Sequence, residues 1–355
     1  MKKRIPRITK RMRSLKATKF AKVKPEEVWG IAQIWNKSMS QIEKREPKER
    51  NHLWASDPSK SFVDTFLSMK GTKVSNPPNA RSFRKFEAGD VFEWIIQLIL
   101  MRAGLLKHAQ IPCEYQYKGL LKMTGRIDYI VGGKPDLKKI ATELDTMDIP
   151  EVFKRGALKI VAHIKRNYPD GLPEMPFEAK SISSFLADGM ERKNRSVKHH
   201  RTQLFHYLKS SRYDTGMIIY ICRDDLRMFE FPVKLADKDT EKEYKGFIKQ
   251  MTEWYKKDEQ PTIEDPIVFD EDMGKFSKNF KVEYSQYLNK LYGFKEPRKY
   301  SELVAPKVSK WNRVLSRVKK GEKMTDKNLE AIKEIGADGF DYKKIIKLFV
   351  NGEEE

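Results

Sequence analysis

Residues 176–182 read PFEAKSI, a short apolar segment that carries a carboxylate and an ammonium group two positions apart. Residues two apart on a β-strand project from the same face, so Glu178 and Lys180 would meet at one site. A second segment, residues 125–131, reads GRIDYIV and places Asp128 in an apolar run, where an unpaired carboxylate is costly to bury. The two segments together predict neighbouring strands whose acids hold a divalent cation.

The Glu-x-Lys spacing alone is a weak signal. In a chain with 34% charged residues it arises by chance, and residues 46–48 and 243–245 repeat it. Both of these copies lie in charged, helix-prone surroundings, whereas Glu178 follows Pro176 and Phe177 in an apolar setting typical of a strand. The copy at Glu178 is therefore the candidate for chemistry.

A helix predicted at about residues 198–209 carries Gln203 and Tyr207 four positions apart, and so on one face. Gln203 could orient Lys180 or a phosphate, and Tyr207 could stack on a base or bond a phosphate. The alternative is an amphipathic helix that buries Leu204 and Tyr207 and leaves Gln203 at its edge. Three basic side chains are further candidates for nucleic-acid contacts: Arg126, His200 and Arg201.

The composition favours a polyanionic partner. Lys and Arg number 71 against 50 Asp and Glu, a net charge of +21, and nucleic acid is the expected partner of so basic a chain. The charge is concentrated at residues 1–24, where no acid occurs before Glu26. This basic arm either clamps phosphates or is an ordinary solvated end.

Only two cysteines, Cys113 and Cys222, are present, too few for a four-thiolate iron–sulfur cluster or a Cys-rich zinc site. We interpret them as small apolar groups. The six histidines do not repeat at metal-ligand spacing, so a metal site would rest on oxygen ligands, which favour Mg²⁺ or Mn²⁺.

The chain has no sequence feature of a membrane or secreted protein. Its longest apolar stretch, around residues 92–101, is far shorter than the ~20 residues that cross a bilayer. The basic amino terminus is not followed by the apolar region of a signal peptide. We expect a cytoplasmic protein without a membrane partner, in the host cytoplasm if the chain is viral.

Strand-like and helical segments alternate in the middle of the chain, which predicts an α/β fold. Helical extensions are expected on both sides of this core. Near the carboxyl end, Thr325 and Asp341 could each cap a short helix, either as a helix-turn-helix reader or as an ordinary appendage. The predicted divisions are a basic arm at 1–24, a helical region at 25–80, a core at 81–257 with an insertion at 134–173, and a linker with a helical region at 258–355.

Four motifs occur in order along residues 83–233: Gly89-Asp-Val-Phe-Glu93, Gly125-Arg-Ile-Asp128, Glu178-Ala-Lys180 and Gln203-Leu-Phe-His-Tyr207. This series resembles the PD-(D/E)XK nuclease superfamily, especially its RecB-like and Cas4-like exonuclease branch. The resemblance implies a restriction-endonuclease-like central mixed β-sheet flanked by helices. It also implies that the metal ligands are Glu93, Asp128, Glu178 and the Ala179 carbonyl. Lys180 would position the attacking water, and Gln203 and Tyr207 would organise the site and the strand.

The chain departs from that pattern in three ways. Glu93 stands where many relatives have His, and the interval of about 50 residues between Asp128 and Glu178 is longer than usual. The insertion in this interval could contact DNA or a partner. The chain also lacks the cysteines of a cluster and the phosphate-binding loop of a fused helicase, so we expect a nuclease that acts alone or borrows its motor.

The resulting expectation is a Mg²⁺-dependent DNase, an exonuclease of replication, recombination or repair, encoded by a virus or mobile element. A helicase or recombination protein is an expected partner. A structure-specific or restriction-type endonuclease would use the same residues. The alternative from another class is a non-catalytic nucleic-acid-binding protein, but acids that face phosphates repel them unless a metal lies between.

Overall fold

The computed structural model describes residues 47–270, 274–323, 325–341 and Ile345. The predicted basic arm at 1–24, the start of the predicted helical region at 25–46 and almost all of the helix expected after Asp341 lie outside these residues. Within them, residues 78–87 belong to a compact unit separate from the rest of the described chain. In that unit the Asn79 Oδ1 accepts a hydrogen bond from the Ser82 N–H (3.0 Å).

Six strands form one mixed sheet in the part of the chain that the structure describes. Strand β2 pairs along one edge of β3. Along the opposite edge, β3 pairs first with β1 and then with β4, and β5 and β6 follow β4 across the sheet. Only the β1–β3 and β4–β5 pairs of this sheet are parallel. The strands are β1 (His52–Trp54), β2 (Leu106–Tyr115), β3 (Lys122–Gly133), β4 (Leu172–Ile182), β5 (Thr215–Cys222) and β6 (Met228–Lys234).

Helices cover both faces of the sheet. The helices up to β6 are α1 (Phe62–Met69), α2 (Ala80–Arg102), α3 (Leu137–Thr146), α4 (Glu151–Asn167), α5 (Ser184–Lys193) and α6 (Lys198–Lys209). On one face α6 and the following helix, α7 (Lys238–Lys257), bury apolar side chains against β3 and β5, whereas α2 packs on the other face. The predicted α/β class, a central mixed sheet flanked by helices, is therefore confirmed.

Local sequence signals explain where several helices begin and end. The Asp237 carboxylate accepts hydrogen bonds from the first backbone N–H groups of α7 and satisfies donors that lack helical partners. Gly104 follows α2 with φ of 66°, in the left-handed conformation predicted for a glycine that ends a helix. The helix expected near 198–209 matches α6 in its bounds.

The segment at 134–173 contains α3 and α4, which pack on each other through Ile140, Leu144, Ala157 and Val161. Its last residues already belong to the sheet, because β4 begins at Leu172 and Leu172 is the register partner of Gly133 in β3. The prediction of a strand starting at Pro176 is therefore too short. The Pro and Gly residues before it suggested a loop, but the strand continues through Pro173 and Pro176.

Two regions expected to be helical also contain strands. Residues 25–80 include β1, and residues 258–355 include the hairpin of β7 (Ile267–Asp270) and β8 (Lys275–Lys278). Three- and four-residue strands leave too little sequence for a periodic pattern, so their pairing depends on distant partners.

The carboxyl-terminal region has its own apolar cluster. Its helices are α8 (Phe280–Glu283), α9 (Leu288–Tyr292), α10 (Pro297–Lys319) and α11 (Asp326–Ala337). Trp311 is fully buried in this cluster, with ring centroids 4.9 Å from Phe276 and 5.7 Å from Phe340. Among the described residues, no helix has the length and apolar character needed to cross a bilayer.

Candidate active site

The site lies where β3 changes its neighbour. On the edge of β3 opposite β2, β1 pairs with residues 122–124 and β4 pairs from Tyr129 onward. The Ala55 N–H extends the β1 pairing by one hydrogen bond, to the Thr124 carbonyl (2.8 Å). Residues 125–128 therefore lie between the end of one partner strand and the start of the next. The Gly-Arg-Ile-Asp motif occupies this gap.

Asp128 bridges the gap to β4. Its Oδ2 accepts a hydrogen bond from the Ala179 N–H (3.0 Å), and continuing the β3–β4 register from the Tyr129–Phe177 pair places Asp128 opposite Glu178. Burial, and then the charge of Glu178, raise the pKa of Asp128 well above its ordinary value. Two acids from neighbouring strands thus share one poorly solvated site, as the sequence predicted.

Glu178 is fully buried, and Lys180 lies beside it on the same face of β4. Glu178 Oε1 forms an ion pair with Lys180 Nζ, whereas Oε2 has no hydrogen-bond partner among the residues that the structure describes. Burial alone would lower the pKa of Lys180, but the charges of Glu178 and Asp128 outweigh it and raise that pKa. The Glu178 carboxylate is therefore desolvated and has Lys180 as its charged partner.

Glu93 lies on α2 at the margin of this cluster. Its Oε1 accepts a hydrogen bond from Gln110 Nε2 (2.8 Å), and its backbone carbonyl accepts one from the Tyr129 hydroxyl (2.8 Å). Burial raises the pKa of Glu93, with Lys180 opposing the shift. Gln110 has φ of 55°, a left-handed conformation uncommon for a residue with a side chain, and it lies beside the chemistry.

Helix α6 brings Gln203 and Tyr207 to the same site. Gln203 Nε2 donates to the Tyr207 hydroxyl (2.8 Å), and Tyr207 is 1% exposed. Burial, and then the charge of Glu178, raise the pKa of Tyr207 well above its ordinary value. A glycine at position 125 allows this packing, because a Cβ there would lie 2.9 Å from Ala55 Cβ and 3.3 Å from Tyr207 Cε1.

The three predicted nucleic-acid contacts have different surroundings. Arg126 is exposed and lines the cleft beside Asp128. His200 Nδ1 lies 2.9 Å from the Tyr220 hydroxyl, and burial lowers its pKa well below the ordinary value, so the imidazole is neutral. Arg201 donates to the Ser196 carbonyl (2.5 Å) and lines two other clefts. Arg126 is therefore the one of the three that lines the cleft beside Asp128, and the roles of His200 and Arg201 in binding nucleic acid stay predictions.

The cleft that contains Asp128 has a volume of about 950 Å³. Its lining includes residues that were not singled out from the sequence as site residues, among them Trp54, Ser56, Gln110 and Ser210. Their positions along the chain gave no signal, because β1, β2 and α6 converge here only after the sheet has formed.

A Cys–His pair also borders this cleft. Cys113 Sγ lies 3.7 Å from His206 Nε2, and His206 Nδ1 lies 2.9 Å from the Tyr244 hydroxyl. Burial raises the pKa of Cys113 to about 11 and lowers that of His206 to about 4. The thiol stays protonated and its neighbour stays neutral, so the pair lacks the thiolate of a nucleophilic cysteine. This agrees with the expected apolar role of Cys113.

Few acidic side chains in the site could serve as ligands for a cation. Within the described parts of the chain, no three His, Cys, Asp or Glu side chains converge into a metal-binding group. Asp128 and Glu178 remain as a pair, and Glu178 Oε2 has no hydrogen-bond partner among the described residues. Oxygen ligands of this type fit Mg²⁺ or Mn²⁺, which commonly bind through one or two carboxylates, waters and substrate phosphates.

Neither a protein-family model nor a curated protein matches the chain. Among solved structures, it is similar to the crystal structure of SSO0001, with 14% identity, a TM-score of 0.41 and coverage of 73% of this chain and 95% of that chain. It is also similar to the alkaline exonuclease LHK-Exo from Laribacter hongkongensis, with 10% identity, a TM-score of 0.33 and coverage of 64% of this chain and 97% of that chain. The complex of LHK-Exo with dAMP has 11% identity to this chain and a TM-score of 0.33, with the same coverage of both chains. Likenesses of this size carry no argument about the site, which rests on its own side chains.

Proposed function

We propose that this chain is a divalent-metal-dependent DNA nuclease that hydrolyses phosphodiester bonds at Asp128, Glu178 and Lys180. The observation that carries the proposal is the fully buried Glu178, ion-paired with Lys180 and opposite Asp128 on the next strand. A structural ion pair has little need of a second buried acid beside it. A cation site does, because two carboxylates then share the ion's charge.

The surroundings of the acids support a polyanionic substrate. The chain carries a net charge of +21, and Arg126 is exposed on the wall of the cleft that contains Asp128. Phosphate contacts from Arg and Lys supply most of the affinity of sequence-independent DNA binding. The cleft is also open to solvent, and a polymer can lie along it.

The residues would divide the chemistry between them. A divalent cation held by Asp128, Glu178 and the Ala179 carbonyl would polarise the scissile phosphate and lower the pKa of bound water. Asp128 is held in place by the Ala179 N–H, so its carboxylate cannot swing away from Glu178. The Lys180 ammonium, 27% exposed on its side chain, can hold the attacking water or a phosphate oxygen.

The Gln203–Tyr207 pair would act on the bound strand. Gln203 fixes the Tyr207 hydroxyl by donating to its oxygen, and the hydroxyl hydrogen can then be donated to a phosphate oxygen. Glu93 is a weaker candidate ligand, because Gln110 already occupies one of its oxygens. Its role would then be to add negative charge to the site and to hold α2 in position.

The ordered motifs, which resemble those of the RecB-like branch, further suggest that the enzyme is an exonuclease of DNA replication, recombination or repair. The test compares linear with covalently closed circular DNA in Mg²⁺, Mn²⁺ or EDTA. Metal-dependent loss of the linear substrate alone supports the exonuclease, and loss of both substrates supports the endonuclease.

The matched variants are Lys180→Ala and Lys278→Ala. Lys278 is also a half-buried lysine in an ion pair, 3.0 Å from Glu283, but it lies on β8, outside the sheet that carries Asp128 and Glu178. Lys180→Ala should abolish metal-dependent cleavage, and Lys278→Ala should keep it. Binding without cleavage in every metal would instead identify a non-catalytic nucleic-acid-binding protein.

A further inference from the structure

We propose that Trp54 is a stacking platform for an unpaired nucleobase, so that the cleft takes single-stranded DNA or a frayed end of a duplex. This inference rests on the proposed nuclease function and specifies its substrate. Trp54 ends β1, is 46% exposed and lines the cleft that also contains Asp128, Gln203 and Tyr207. A base on the indole would therefore lie in the same cleft as Asp128.

The backbone at Trp54 is held unusually firmly for so exposed a residue. Its N–H donates to Asp57 Oδ2 (2.8 Å), and Asp57 is fully buried. Arg50 and Lys60 bind the same carboxylate, at 2.8 Å and 3.1 Å. Because these contacts fix the backbone of Trp54 before a ligand binds, less conformational entropy is lost on binding.

The indole also has neighbours that prepare it for an electron-rich ligand. The Arg50 guanidinium lies 5.8 Å from the ring centroid, and the His52 ring meets the indole edge-on at 4.8 Å. Arg50 thus contributes positive charge beside the aromatic face, and Arg126 contributes an exposed cation elsewhere in the cleft. Aromatic faces interleaved with cations are the arrangement that binds single strands without reading their sequence.

Stacking requires a base that has left its partner. In duplex DNA both faces of an internal base are covered by neighbouring bases, so an indole can stack only on a terminal or unpaired one. The inference therefore predicts tighter binding of single strands and frayed ends than of blunt duplexes. If Trp54 instead packed against a protein partner, no preference for single strands over blunt duplexes would be expected.

The test measures binding without cleavage, in EDTA, by fluorescence anisotropy of a labelled oligothymidylate and of an abasic oligonucleotide of the same length. Stacking is worth about 5- to 150-fold in affinity per base when the aromatic residue is replaced by alanine. Trp54→Ala should lose that factor on oligothymidylate and change little on the abasic strand. Trp54→Phe, which keeps an aromatic face, should recover most of the loss.

Trp94→Ala is the matched control, since Trp94 is 62% exposed and does not line the cleft. It should bind both oligonucleotides like the wild type, and thermal melting should show that every variant is folded. Equal weakening on both strands overturns stacking, since the indole would then act on the backbone or the fold. Unchanged binding by Trp54→Ala also overturns it, leaves the nuclease proposal intact and assigns the indole to a protein partner. If the wild type binds no oligonucleotide at all, both proposals fail.

Discussion

Replacing Asp128 by Asn should stabilise the fold and abolish cleavage at the same time. Directly opposed residues in an antiparallel pair have Cβ atoms about 5 Å apart, and two unit charges at that distance repel by about 3 kcal/mol at an effective dielectric constant of about 20. Lys180 offsets part of this repulsion from its ion pair with Glu178. We therefore expect Asp128→Asn to raise the free energy of unfolding by about 1–2 kcal/mol in EDTA. Its amide oxygen can still accept the bond from the Ala179 N–H.

The gain should depend on pH with a definite sign. The pKa of Asp128 is raised in the folded chain above its ordinary value of 3.8, chiefly by burial, so above that value the unfolded chain loses its proton more readily and folding is opposed. The advantage of Asp128→Asn should increase as the pH rises and shrink as the pH falls towards 4. In a domain of this size, 1 kcal/mol corresponds to a shift in melting temperature of about 2–4 °C.

The assay is calorimetric melting of wild type and variant in EDTA and in Mg²⁺, beside cleavage of linear DNA. Mg²⁺ should raise the melting temperature of the wild type and not that of the variant, because an ion stabilises the folded state that binds it. Asp57→Asn is the control: Asp57 is also a buried acid, but it has two cationic partners, and breaking such pairs costs about 3–5 kcal/mol. A variant Asp128→Asn that melts below the wild type in EDTA, or that still cleaves DNA, would refute the reasoning.

Three further outcomes can be measured separately. Burial lowers the pKa of His206 from 6.5 to about 4, so the free energy of unfolding of the wild type should fall by about 3 kcal/mol as the pH drops from 6.5 to 4. Denaturant unfolding across this pH range should show a smaller loss in His206→Asn. Gly125→Ala should lower stability by about 1–3 kcal/mol and reduce cleavage, because its Cβ would lie 2.9 Å from Ala55 Cβ. In the control variant Gly156→Ala the added Cβ meets no atom within 4 Å, so urea titrations should show a neutral or stabilising effect. Trp311→Ala should destabilise the carboxyl-terminal cluster by about 3–5 kcal/mol, and cleavage measured well below the melting temperature should be retained; loss of cleavage there would couple that cluster to the site.

Elements whose bounds depend on the local sequence were predicted correctly. The bounds of α6 agree with the sequence because its helical periodicity lies within one segment. The pairing of Asp128 with Glu178 was also anticipated, since both acids interrupt apolar strands. Arg201 lies two positions before Gln203, about 200° around the helix, which is why it faces away from the cleft that Gln203 lines.

The rest depended on contacts between distant parts of the chain. Strand β1 is too short to show alternation, and its place beside β3 is set by residues some 70 positions later. The same is true of Gln110, whose left-handed backbone follows from the convergence of β2 and α2. Trp54 could be recognised as a cleft residue only after these pairings were known.

The parallel pairing of β1 with the start of β3 has a practical consequence for anyone who shortens this protein. The recognisable motifs begin at Gly89, which invites expression of a core without residues before 78. Such a fragment would leave Met123 and Thr124 as an open strand edge, since their partners in β1 would be absent. Exposed edges of this kind recruit strands from other molecules. A shortened chain should therefore begin before Glu49, so that β1 still covers this edge.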